Sequence, residues 1–138
     1  MDMRVTFESD FARVAYEGES NAVVTYWKKP VTIESYKETF AQILKTLKEN
    51  KATSFVSDIS HQGIVGTTSR LWMQENILTE AIRNGLRKIG TAVPEDTFKK
   101  FYVDQIKNEI RINNKTVEFR YFRYMEEALD WVTGPVLV

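Results

Sequence analysis

Within residues 56–74, VSDISHQGIVGTTSRLWMQ, an aspartate, a serine and the only histidine of the chain stand at Asp58, Ser60 and His61. A few positions on, Gly66 is followed by three hydroxyl residues, Thr67, Thr68 and Ser69. Residues of these types could serve a hydrolytic relay, a phosphoryl or anion site, or a binding loop. A relay requires the base between nucleophile and acid, within hydrogen-bond reach of both. Side chains alternate along an extended chain, so Asp58 and Ser60 share one side and His61 points to the other. No catalytic residue is therefore expected, and the chain is read as a non-enzyme.

The hydroxyl run admits two uses. Thr67, Thr68 and Ser69 precede a helical pattern, where Ser and Thr commonly cap the free N–H groups. The same N–H groups and the positive helix end favour an anion, so the run is also a candidate phosphorylation or anion site. Gly63 and Gly66 match neither a dinucleotide fingerprint nor a phosphate-binding P-loop. Trp72 reads as core or, beside Ile64 and Val65, as part of an apolar patch for a partner or a lipid chain. With Ser60 and His61 these make the candidate partner- or ligand-binding set. No metal and no cofactor are expected: one histidine and no cysteine leave scattered carboxylates, and Glu95-Asp96 and Glu126-Glu127 suit helix starts.

The elements that would position this loop follow from periodicity. Residues 13–16 and the run AVVTYW, separated by EGESN, read as an antiparallel hairpin. Pro30 ends the second strand, Thr32 caps a helix with Glu34 in its first turn, and Tyr36, Phe40, Ile43, Leu44 and Leu47 form one helical face. SFVSDI is a short strand, with Phe55 and Ile59 on one side and Val56 and Asp58 on the other. A helix from about Ser69 carries Leu71, Trp72, Leu78, Ala81 and Ile82, stopped at Asn84-Gly85. KIGTAV reads as a strand buried on both faces, and a helix opening at Pro94 carries Phe98, Tyr102, Ile106 and Ile110. Residues 117–124, VEFRYFRY, alternate, and a last helix carries Met125, Ala128, Leu129 and Val132. The order β-β-α-β-α-β-α-β-α predicts an α/β fold with a mixed sheet of about five strands, an N-terminal hairpin and about four helices, in one domain over 1–138.

Composition narrows the functions further. Lysine plus arginine number 19 and aspartate plus glutamate 19, so no overall charge draws the chain to nucleic acid, and none is expected as partner. The absence of cysteine excludes disulfides and thiolate chemistry and fits a cytoplasmic protein. The acid-bearing start is unlike a signal peptide, and no run reaches the roughly 18 apolar residues of a membrane span, so the chain is not expected to be an integral membrane protein.

The N-terminal hairpin, then "YWKKPVTIESYKETF", a strand ending in "DIS", "LWMQENI", "NGLRKIGTAVPEDTF" and a last aromatic strand resemble the SpoIIAA-like proteins of the STAS superfamily over essentially the whole chain. The resemblance implies a small cytoplasmic domain that works by binding a protein partner, and in anti-sigma-factor antagonists binding is switched by phosphorylation of a serine that follows an aspartate. Here Gly66-Thr67-Thr68-Ser69 stands at that place without the aspartate, leaving Thr67 or Thr68 to receive a phosphoryl group. The expectation is a regulatory interaction module acting through the loop 60–70 and the second helix. The alternative is a carrier of a small apolar ligand or lipid, and a homodimer is a further candidate assembly.

Overall fold

The structure, a computed structural model, describes residues 3–93, 104, 108 and 116–134. Six strands lie in one sheet in sequence order: β1 Met3–Glu8, β2 Ala12–Glu17, β3 Ala22–Trp27, β4 Ser54–Asp58, β5 Lys88–Ala92 and β6 Glu118–Phe122. β1 to β3 are antiparallel neighbours, and β3 to β6 run parallel. The α/β class and the mixed sheet with its N-terminal hairpin are as the sequence predicts, but the sheet has six strands where about five were expected. The additional strand is β1. Thr6 is an unpaired extra residue between Val5, opposite Ala15, and Phe7, opposite Val14. Its sequence alternates without a break, Met3, Val5 and Phe7 against Arg4, Thr6 and Glu8, and the bulge acts in the sheet, where Val5 is 51% exposed while Phe7 packs against the core.

Helix α1, Ile33–Asn50, begins as its sequence dictates. Thr32 Oγ1 accepts from the Ser35 N–H at 3.0 Å, and Ser35 Oγ accepts from the Thr32 N–H at 2.8 Å, closing a reciprocal cap. Tyr36, Phe40, Ile43 and Leu47 are buried, and Leu44 is partly buried against them. The rings of Trp27, Tyr36, Phe40 and Phe55 form a continuous aromatic contact between α1 and the sheet, with Tyr36–Phe40 centroids 4.8 Å apart and Phe40–Phe55 6.2 Å apart.

The second helical stretch is compound. α2, Thr67–Met73, passes into a π-helical turn, Gln74–Leu78, and then into α3, Thr79–Arg83. Among its buried residues, Ser69, Met73, Ile77 and Ala81 recur every four positions, with Leu78 buried beside Ile77. In a regular helix of 3.6 residues per turn such a row drifts by about 40° at each step and leaves the core side within three steps. One wider turn absorbs the drift and keeps the row against the sheet. Leu71, expected among the apolar core residues of this helix, is consequently 42% exposed. Gly85, at φ 112°, ends the stretch as predicted.

α1 and the compound helix cover one face of the sheet, over Val14, Val23, Phe55, Ile89 and Phe119. α4, Met125–Thr133, covers the other, packing Met125, Ala128 and Val132 on Ala22, Val24, Val56 and Ala92. β5, between β4 and β6, is buried on both faces from Ile89 to Ala92, and Gly90 leaves room for Ala128 and Trp131, which a Cβ there would meet at 3.5 Å. In β6, Phe119 and Tyr121 face the first helical layer while Glu118 and Arg120 alternate with them, as the sequence predicts. The expected helix opening at Pro94 lies almost wholly outside the described residues. Among those described, no helix is long and apolar enough to cross a membrane.

Candidate functional site

The carboxyl ends of β3 and β4 and the start of β2 meet at one end of the molecule, the end at which open α/β sheets bind ligands. The loop from Ile59 to Gly66 crosses this end and is fastened at several points. Ile59 N–H donates to Ala92 O at 3.3 Å, Gln62 N–H to Ile59 O at 3.1 Å, and Val31 N–H to Gln62 O at 3.0 Å. Gln62 and Val65 are buried. Gly63 has φ 79°, and a Cβ there would lie 2.7 Å from Pro30 Cβ, so both the backbone conformation and the close contact require glycine.

The candidate relay residues are not arranged as a relay. Asp58 Oδ1 accepts from the Ser60 N–H at 2.9 Å and from Ser60 Oγ at 2.6 Å, which makes the pair a local turn at the strand end. The Ser60 hydroxyl proton is thus committed to Asp58 directly. His61 is exposed, and among the described residues no hydrogen bond joins it to either. Tyr26 stands opposite Asp58 in the β3–β4 register. Partial burial, the Asp58 carboxylate and then Glu126 hold its phenol above the usual tyrosine range. At the neighbouring edge Glu8 accepts from Lys28 Nζ at 2.8 Å and Arg13 Nε at 2.9 Å, which lowers its carboxyl below the ordinary range, Lys28 contributing most.

The hydroxyl run does not cap its helix. Gly66 occupies the N-cap with no side-chain hydrogen bond, and α2 starts at Thr67, two residues before the expected Ser69. Thr67 and Thr68 are exposed in the first turn, and Ser69 is buried on the core side. The capping role anticipated for these residues is therefore absent, because glycine already supplies the extended backbone at the cap. The expected patch of Ile64, Val65 and Trp72 is also divided. Ile64 is 81% exposed, Val65 belongs to the core, and Trp72 is partly buried with Lys37 Nζ 5.3 Å from its ring centroid. Leu71, which the sequence placed on this helix with Trp72 and Leu78, is open to solvent, and the four-residue spacing of Ser69, Met73, Ile77 and Ala81 is the signal for its outward position.

Among the described residues no three histidine, cysteine or acidic side chains are grouped to hold a metal ion. A cavity of about 270 Å³ at the same end lies between the β1–β2 turn and the start of α1, lined by Ser9, Asp10, Phe11, Thr32, Glu34, Ser35, Glu38 and Thr39. Three carboxylates on its wall make it a poor seat for an apolar chain. Searches of protein-family models, curated proteins and solved structures match nothing to this chain.

Proposed function

We propose that this protein is a non-enzymatic interaction module of the SpoIIAA-like, STAS type, which docks a protein partner through the loop 60–70 and α2. The carrying observation is Ile64, 81% exposed on a loop fastened immediately before it by Gln62 and Gly63 and immediately after it by buried Val65. An isoleucine held outward on a fixed backbone offers apolar area without the cost of ordering the loop on binding, about 1.5–3 kcal/mol when fully covered. Leu71, 42% exposed on α2, is a second apolar side chain open to solvent in the same stretch. The exposed hydroxyls of Thr67 and Thr68 lie between them in sequence, so a phosphoryl group there would oppose docking by the desolvation of its charge.

The test isolates a partner by affinity capture and compares its Kd for Ile64→Ser, Leu71→Ser and, as a control on the far edge strand, the exposed Val5→Ser. Loss of about tenfold or more at Ile64 and Leu71, with Val5→Ser equal to the parent, is expected. Equal affinity in all three variants overturns the assignment of this surface. Thr67→Glu and Thr68→Glu, compared with their alanine variants, then read the switch: weaker binding at an unchanged Tm supports it, and parental binding removes it.

A further inference from the structure

The wide turn inside the second helical stretch is fastened by its own side chains. Gln74 O accepts from both the Thr79 N–H and, at 3.0 Å, Thr79 Oγ1, while Asn76 Nδ2 donates to Trp72 O at 3.0 Å. Both clamping residues are exposed, so neither packs into the core. An i→i+5 turn takes up one residue more than an α turn, and one residue is about 100° of helix rotation. Each residue of α2 therefore stands one place ahead of where an unbroken helix grown back from α3 would put it. Were the turn to close to α geometry, every α2 residue would fall back into the place of its preceding neighbour. Trp72 would enter the exposed place of Leu71, Met73 the half-buried place of Trp72, and Gln74 the buried place of Met73.

We propose that the π turn makes Thr67–Met73 a two-register segment, with a minor register in which Trp72 is presented to solvent. Burial of the Gln74 amide, the entry of Arg70 into the buried place of Ser69 and the yielding of the loop before Gly66 disfavour that register and keep it minor, and loss of the Thr79 clamp favours it. The device belongs to the free chain and stands whether or not the loop docks a partner.

The chain has three tryptophans, Trp27, Trp72 and Trp131, so 5-fluorotryptophan labelling gives three fluorine resonances. The lines of Trp27 and Trp131, each packed in a hydrophobic cluster, report that a variant is folded. Saturation transfer on the parent should connect the Trp72 line to a weak, solvent-sensitive second line. Thr79→Val, which removes the hydroxyl and keeps the shape, should raise that second population several-fold, and Thr79→Ser should return it to the parental level. Deletion of Asn76 removes the extra residue while keeping every α2 side chain in its present place, and should abolish the exchange. A Trp72 line without exchange in both parent and Thr79→Val overturns the two-register segment, as does undiminished exchange in the deletion variant. Should the deletion variant lose the Trp27 line through misfolding, the Val and Ser variants at Thr79 decide between the two outcomes by themselves.

Discussion

Two helices start at the same end of this sheet, and they start differently. α1 begins at a closed reciprocal cap, in which Thr32 and Ser35 each satisfy the other's backbone N–H. α2 begins at Thr67 behind Gly66, which has no side chain to satisfy a free N–H, although three hydroxyl residues follow it. The first start is fixed by its own polar groups and by the aromatic contact of Tyr36 and Phe40 below it. The second is fixed from behind, by the fastened loop, and its first two hydroxyls are left to solvent. A hydroxyl near a helix start is thus structural only where the backbone turns it toward the free N–H groups.

Gly63→Ala should break the second start most severely. Its Cβ would meet Pro30 and its backbone would hold an unfavourable φ, so a loss of about 1–3 kcal/mol is expected in urea unfolding. A parental midpoint would show that the loop is not what fixes α2. The two starts are then compared directly. Thr32→Ala should cost about 1 kcal/mol, whereas Thr67→Ala and Thr68→Ala should each stay within about 0.5 kcal/mol of the parent. Equal costs at Thr32 and Thr67 would erase the distinction.

The smallest effects are those of pH around the two loops. Glu8 is held ionised by Lys28 and Arg13, so its contribution is present above its unfolded value of 4.5 and is lost as pH falls through the lower folded value. Glu8→Gln should flatten the acid limb of the stability profile slightly, because the group is exposed. Tyr26 has the opposite sign. Its folded phenol is raised above 10.0, so the unfolded chain ionises first and stability declines as pH rises past that value. Difference absorbance titration against Tyr26→Phe should show Tyr26 ionising late, and Asp58→Asn should bring it earlier; an unmoved titration would separate Asp58 from Tyr26 electrostatically.

What was legible in the chain depended on whether local pattern and final environment agreed. The spacing of Tyr36, Phe40, Ile43 and Leu47 together with Thr32 specifies α1, because cap and apolar face report the same helix. The alternation of Val117, Phe119 and Tyr121 reports β6 for the same reason. β1 carried its own signal in the alternation of Met3, Val5 and Phe7 with Arg4, Thr6 and Glu8, and only the packing of Val5 and Phe7, out of step across the bulge at Thr6, depends on the sheet. The outward position of Leu71 was hidden because periodicity assumes 3.6 residues per turn throughout, and the π turn changes that count within the helix. In the candidate site, the strand alternation on which Asp58, Ser60 and His61 were compared stops at Asp58, and a turn joins Asp58 to Ser60 instead, whereas the burial of Val65 and the cap at Gly66 depend on contacts of the loop with residues far away in sequence.

The bulge at Thr6 has a further effect, on how copies of this chain meet one another. With 19 basic and 19 acidic residues, no long-range repulsion holds molecules apart near neutral pH. An open strand edge under those conditions is a template for stacking chains into fibrils. β1 does not offer an even ladder: its hydrogen-bond spacing is interrupted at Thr6, Thr6 Oγ1 is tied to Thr46 Oγ1 at 2.8 Å, and charged Arg4 and Glu8 flank the break. A strand laid alongside β1 would lose its register halfway, so at this edge a local irregularity of the backbone stands in for the repulsion that net charge does not supply.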